Sequence, residues 1–324
     1  MTIATGADLV DRVRAGDELA CARLMTLAER GESAYADHHR RFAGAVGRAR
    51  RIGITGPPGA GKSTLVERLA LHWRGSKRTV GIVAVDPSSP FSGGALLGDR
   101  VRMSRLALDK GVFIRSMATR GVFGGLARAT DDIADVLDLA GRELVLVETV
   151  GVGQSEIDVA RSTDLTVVVL HPGGGDTIQA MKAGLMEAAD VYLVNKADLP
   201  GLDRMVQQLT DILDLRELPQ GRRPPILTAT AEAGQGIAEL AVALDEQLAS
   251  RAASGELAAR RTANLEQRVR RLVDSRLRRD VWETAGLADE LARRVERQTG
   301  RSAYDLADEI LDDYRSRGVA EDGP

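Results

Sequence analysis

The sequence predicts an α/β protein: a doubly wound, mostly parallel sheet with helical extensions at both ends. Two observations predict it. Short apolar runs alternate with helical patterns between residues 51 and 249, as in chains of βα units. Several of those runs are continuously apolar, such as LVLV at 144–147 and TVVVL at 166–170. Strands buried on both faces of a parallel sheet read this way.

The elements follow in order. Residues 6–48 read as helix, with Leu9, Val10, Val13, Leu19, Ala20, Leu24, Leu27 and Ala28 recurring at helical spacing among charges. Strands are predicted over Arg51–Thr55, Val80–Val85, Val112–Arg115, Leu144–Glu148, Leu165–Leu170, Val191–Asn195 and Ile226–Ala229. The chain then loses its strand signal and becomes charged helix. The polar AASGE stretch at 252–256 marks that change. The expected organisation is a helical extension over 1–48, a nucleotide-type α/β domain over 49–250, and a helical arm over 251–324.

Composition narrows the function classes. The 324 residues carry 44 Lys and Arg against 47 Asp and Glu, a net charge of −3. That balance argues against nucleic-acid binding over the whole surface, which needs a basic excess. Aromatics are 3%, too few for a base-stacking or sugar-binding face. Cys21 stands alone, so neither an internal disulfide nor a thiolate metal site can form. His38, His39, His72 and His171 show no metal-ligand spacing. The early acids and short apolar runs are unlike a signal peptide or a membrane span, so a cytoplasmic protein is expected.

The strongest motif is Gly56-Pro57-Pro58-Gly59-Ala60-Gly61-Lys62-Ser63-Thr64. It matches the phosphate-binding P-loop in full, and it lies between a predicted strand and a predicted helix as that loop must. Its glycines let backbone N–H groups turn toward phosphate oxygens, and the following helix adds its positive end. Lys62 reaches the β- and γ-phosphates, and Ser63 offers a hydroxyl to Mg²⁺.

Asn195-Lys196-Ala197-Asp198 closes a later strand, at the sheet edge where α/β proteins bind ligands. Asp198 can accept from both N1–H and the 2-amino group of guanine, a pair that adenine lacks. Asn195 would tie this loop to the P-loop, and the Lys196 stem would cover a base face. Thr228-Ala229-Thr230-Ala231 stands where a loop would meet guanine O6, which makes Thr230 and Ala231 candidate base contacts.

Acids end two further strands. Asp86 closes VAVD, and Glu148 closes LVLVE before Thr149-Val150-Gly151. Acids there can hold Mg²⁺ through water, and Gly151 can give its N–H to the γ-phosphate. Asp99 in LGDR reads either as a third metal-side acid or as a helix N-cap. Gln154 reads either as the residue orienting the attacking water or as a contact for a partner. Arg102, Arg115 and Arg120 lie near these segments as arginine-finger candidates, although surface placement is commoner for each.

In combination, VAVDPSSP, GGALLGDRVRM, LVLVETVGVGQSE, GGGDTIQAMKAGLMEAAD and NKAD resemble the MeaB/ArgK family of G proteins over roughly residues 45–250. The resemblance implies GTP and GDP binding with Mg²⁺, GTP hydrolysis, and service as chaperone to an adenosylcobalamin-dependent acyl-CoA mutase. The chaperone gates cofactor loading and protects the mutase, chiefly methylmalonyl-CoA mutase, with isobutyryl- and 2-hydroxyisobutyryl-CoA mutases as alternatives. It assigns Lys62, Ser63 and Thr64 to the phosphate loop. Asp86, Asp99 and Glu148 fall among the acids around Mg²⁺ and the γ-phosphate. Gly151 to Gln154 form the second switch, and Asn195, Lys196 and Asp198 the guanine motif. The stretch 173–182, with Asp176, Gln179 and Lys182, corresponds to a third switch that signals nucleotide state. A metallochaperone GTPase and a P-loop kinase are the other readings. The first lacks Cys and His ligands, and the second has no use for guanine selection.

The arm carries Arg260, Arg261, Arg268, Arg270, Arg271, Arg276, Arg278 and Arg279 beside an apolar stripe of Leu265, Val269, Leu272, Leu277 and Val281. The arginines are expected on a solvated face rather than on RNA or a membrane. The stripe needs burial, and the family's homodimer would supply it.

Overall fold

The computed structural model describes residues 8–31, 33–86, 103, 105–106, 108–118, 125–149, 162–173, 189–215, 223–297 and 302–320. They form two compact units, 1–264 and 265–324. The first holds a seven-stranded sheet: β1 (Arg50–Thr55), β2 (Val80–Asp86), β3 (Val112–Ala118), β4 (Leu144–Glu148), β5 (Leu165–Leu170), β6 (Val191–Asn195) and β7 (Ile226–Ala229). Their order is β3-β2-β4-β1-β5-β6-β7. Every pairing is parallel, so the sheet is parallel throughout rather than mostly so. Four strands match their predicted bounds, and β1, β2 and β3 run longer. The extra β3 residues Ser116–Ala118 pair with Ala84–Asp86, hydrogen bonding that no apolar pattern announces.

Alternate side chains of each strand enter separate cores. On one face Ile52, Ile54, Leu144, Leu146, Val167, Val169, Val191 and Leu193 pack beneath α4 (Lys62–Gly75) and α7 (Ile237–Ala253). On the other, Val145 and Val147 meet α5 (Gly125–Leu139), while Val168, Leu170, Tyr192 and Val194 meet α6 (Leu202–Asp214). With both faces covered, strand residues of either parity must be apolar, hence the unbroken runs.

The amino-terminal stretch is helical, in three segments: α1 (Leu9–Arg14), α2 (Glu18–Arg30) and α3 (Ser33–Phe42). Gly16 and Gly31 break it, with φ of 85° and 66°, in the left-handed region that glycine enters without a Cβ clash. Val10, Val13, Leu24, Met25 and Phe42 join the α5 core, so these helices cover one face of the sheet. Burial there pushes the Cys21 thiol up to about 12, which keeps it protonated and inert.

Helix α8 (Glu256–Arg279) starts in the first unit. Arg260 and Arg261 do not lie on a solvated face as expected. Arg261 grips Asp164 through Nε and Nη2, both at 2.7 Å, and Arg260 reaches Asp190 at 2.9 Å. The same carboxylates accept the amides of Arg51 and Thr166, and Arg251 adds a 2.6 Å bond to Asp190. Buried carboxylates require such partners, and nothing in the charge count locates them. In the second unit, α9 (Leu287–Arg297) and α10 (Ala303–Ala320) are joined by Arg294, which binds Glu290, Glu309 and Asp313. No helix among the described residues is long and apolar enough to cross a membrane.

Asp17 caps α2, accepting from the amides of Leu19 and Ala20, and pairs with Arg12. The Ala20 amide first, then the Arg12 guanidinium, hold its carboxyl below the usual range. A lowered folded-state value stabilises above the unfolded carboxylate range, about pH 4, and that stabilisation fades as pH falls through the folded value. Asp17→Asn keeps the cap without the charge. Its melting temperature is expected to fall less than that of the parent chain between about pH 6 and pH 3, as read by circular dichroism.

Candidate functional site

The P-loop leaves β1 at Thr55 and enters α4 at Lys62. Two of its glycines are required by contact. A Cβ at Gly56 would lie 2.0 Å from the Val169 carbonyl oxygen of β5, and φ there is 138°. A Cβ at Gly61 would lie 2.4 Å from Asn195 Nδ2, with φ at 87°. The loop is therefore pressed against β5 on one side and the end of β6 on the other.

Asn195 closes that contact. Its Nδ2 donates to the Ala60 carbonyl at 2.8 Å, and its Oδ1 accepts from the Ala231 amide at 3.0 Å. One buried amide thus joins the P-loop, the 195–198 loop and the loop after β7. The two opposite partners fix which side-chain atom is oxygen. Lys196 follows with φ at 57°, uncommon for a non-glycine residue. The Ala197 amide donates to Ala229 at 3.0 Å. Asp198 sits on the exposed turn beyond. Thr230 bridges Gln235 through both backbone groups, and Gly236 lets the chain pass close under Thr228.

Lys62 is buried, with Nζ donating to the carbonyls of Gly56 at 2.8 Å and Pro57 at 3.0 Å. Its ammonium therefore lies inside the loop's own ring. The Ser63 hydroxyl donates to Glu148 Oε1 at 2.6 Å. Glu148 ends β4 and is 5% exposed. It pairs in register with Ile54 of β1 and Ala84 of β2. Asp86 ends β2 two residues beyond Ala84, which places its backbone on the same edge of the sheet.

The structure thus gathers Gly56, Gly59, Ala60, Gly61, Lys62, Ser63, Thr64, Glu148, Asn195, Lys196, Asp198, Thr230 and Ala231 along the carboxyl edge of the sheet. Asp99, Gly151, Gln154, Asp176, Gln179, Lys182, Arg102 and Arg120 lie outside the described residues. Arg115 is committed elsewhere, to Glu29 at 2.7 Å and the Thr26 hydroxyl at 3.2 Å on α2. His171, the residue after β5, was missed as a neighbour of the loop. Its Nε2 comes within 3.9 Å of where a Cβ on Gly59 would stand. Its position after a strand that abuts the P-loop was the available signal.

The family model described as Methylmalonyl Co-A mutase-associated GTPase MeaB matches residues 21–286. The chain belongs to that family. It is a P-loop GTPase. A protein of Pyrococcus abyssi whose name assigns it provisionally as a GTPase is 44% identical over 320 residues, 97% of this chain and 98% of its own. The GTPase ArgK of Escherichia coli is 36% identical over 264 residues, 78% of this chain and 79% of its own. A crystal structure described as an LAO/AO transport system kinase superposes with a TM-score of 0.72 at 26% identity, covering 96% of this chain and 98% of that one.

The Gly61–Asn195 contact is testable by a double-mutant cycle. Gly61→Ala forces a Cβ into the amide and Asn195→Ala strands a carbonyl and an amide, so each is expected to cost about 1–3 kcal/mol by urea denaturation. The double variant should cost less than the sum, because the second substitution removes the atom that the first meets. Strict additivity would show that the two side chains do not meet.

Proposed function

We propose that this GTPase works with Mg²⁺ as a nucleotide-gated chaperone of an adenosylcobalamin-dependent acyl-CoA mutase, gating cofactor loading and protecting the mutase. Methylmalonyl-CoA mutase is the first partner to test, and isobutyryl- or 2-hydroxyisobutyryl-CoA mutase the next. The family's own description supports the association. The single structural observation that supports the chemistry is the Ser63–Glu148 pair at the head of the P-loop helix. A hydroxyl and a carboxylate 2.6 Å apart form a hard oxygen donor set suited to Mg²⁺, with Asp86 and Asp99 as further acids. When bound, the ion supplies positive charge at the phosphate oxygens.

The chain's own groups do the rest. The N–H groups of residues 59–64 cradle the phosphates, and Lys62 gives its ammonium to the β- and γ-oxygens. Gly151 gives an N–H to the γ-phosphate and Gln154 orients water. Asp198 selects guanine, the Lys196 stem covers the base, and Thr230 and Ala231 flank its O6. Asn195 holds these loops at a fixed separation, which supports selection by a rigid fit. A structural neighbour is described as a kinase, and a P-loop kinase is the alternative, which the guanine-type motif Asn195-Lys196-Ala197-Asp198 disfavours. The reading places the protein in the cytoplasm, with no nucleic acid or membrane partner.

Guanine selection is checked by displacement of a fluorescent GDP from the chain. GTP and GDP should displace it and ATP should not. Asp198→Asn should shift preference toward xanthine nucleotides, and Lys62→Ala should abolish hydrolysis while leaving the melting transition cooperative. Displacement by ATP as readily as by GTP would refute the base assignment.

The mutase is checked by turnover. GTP hydrolysis should be slow alone and accelerate at least several-fold with the cognate mutase, because only a partner that prefers one nucleotide state shifts the equilibrium. Asp176→Ala or Lys182→Ala in the third switch should blunt the acceleration and spare nucleotide affinity. Unchanged turnover with every candidate mutase would end this assignment.

The homodimer is supported by Leu265, Val269, Val273 and Leu277, which recur every four residues on α8 and are 48–59% exposed. Val273 takes a place in this stripe that the sequence pattern gave to Leu272. Light scattering at micromolar concentration should report twice the monomer mass, and Val269→Glu with Val273→Glu should halve it.

A further inference from the structure

A second charged cleft opens at the opposite edge of the sheet. It encloses about 650 Å³ and takes five arginines: Arg14 from α1, Arg48 before β1, Arg50 opening β1, Arg78 before β2 and Arg142 before β4. Its two acids, Asp138 and Glu143, are already engaged. Asp138 accepts from the amides of Gly47 and Arg48 at 2.6 and 3.0 Å. Glu143 lies 3.8 Å from Arg78, which also binds Asp245 at 2.9 Å.

The other arginines are less well matched. Among the described residues, Arg48, Arg50 and Arg142 form no ion pair within 4.0 Å. Arg142 donates through Nη1 to the Lys110 carbonyl, while its Nε is buried without a hydrogen-bond partner. Burial pushes its guanidinium below the ordinary value. Arg74 acts the same way, whereas Glu18 and Asp109 oppose the shift from beyond ion-pair distance. Asp109 is itself held by both Nε and Nη2 of Arg74 at 2.9 Å. The groups around the Arg142 guanidinium are outside the cleft lining, so an anion in the cleft would pair with Arg48 and Arg50 instead.

Size and lining narrow the ligand. The volume is within the range of small-molecule sites, about 300–1,000 Å³. Guanidinium forks suit phosphate oxygens, which they bind in pairs. Ala45, Ala49 and Leu139 give the cleft an apolar wall for an organic portion. We propose that this cleft is a second anion site, for a phosphorylated organic molecule of nucleotide size, read by Arg48 and Arg50. It is distinct from the P-loop, which lies at the far end of β1, about 16 Å along the strand.

The test uses the full chain without guanine nucleotide, with ATP and inorganic tripolyphosphate as calorimetric probes. One saturable ATP site is expected. Arg50→Gln and Arg48→Gln should each weaken it about tenfold, a loss of about 1.4 kcal/mol, and Lys62→Ala should leave it unchanged. Arg48 is exposed, so its substitution should leave the melting temperature in place and separate lost binding from lost fold. ATP binding tighter than tripolyphosphate supports the organic class, whereas equal or tighter tripolyphosphate binding refutes that part of the assignment. Absence of saturable binding up to millimolar ATP overturns the site. So does binding that is lost in Lys62→Ala and kept in Arg48→Gln, because the nucleotide would then sit in the P-loop.

Discussion

The geometry of the site depends on one side-chain amide. Asn195 donates to the P-loop and accepts from the loop after β7, so three loops from three parts of the chain share a single rigid link. Each partner is a backbone group at 2.8–3.0 Å, and the amide is 2% exposed. In such surroundings a lost hydrogen bond leaves an unsolvated polar group, which costs more than the bond contributes on average. Distances among the phosphate loop, the base loop and the final strand are therefore held with little play. Gly61 is the counterpart of that link, since only a residue without a Cβ allows the amide so near.

The sheet supplies the platform for this link. All seven strands run in one direction, so their carboxyl ends gather on one edge and each can hand a loop to the same ligand. Order matters as well as direction. β1 lies between β4 and β5, so the P-loop has Glu148 on one flank and the exit of β5 on the other. Ser63 reaches Glu148 because the first turn of α4 folds back over the end of β4.

Much of this was legible in the residues. Fully buried strands announce themselves as continuous apolar runs, which is why β4, β5 and β6 fell on their expected bounds. The P-loop and NKAD motif were readable because backbone geometry restricts what can occupy them. The helical reading of residues 6–48 did not show where the helices divide, because periodicity persists across a turn and only Gly16 and Gly31 mark the breaks. The added length of β3 lies in Ser116–Ala118, whose pairing partners are distant in sequence. Arg260 and Arg261 looked like surface charge because Asp164 and Asp190 lie far upstream, and a long-range ion pair leaves no local pattern. The crowded cleft beneath β1 and β4 was illegible for the same reason: its arginines are scattered from position 14 to 142.

The gripping of Asp164 and Asp190 by residues from α8 sets a limit on how the chain can be divided. Asp164 and Asp190 directly precede β5 and β6, and each accepts an amide of the strand alongside, Arg51 of β1 and Thr166 of β5. A shortened chain ending in the polar stretch near residue 255 would keep every sheet strand and every motif yet forfeit Arg260 and Arg261, leaving Asp190 to Arg251 alone and Asp164 without its ion pair. A fragment that keeps these pairs runs at least through Arg261, several residues into a helix that the sequence pattern assigns to the arm.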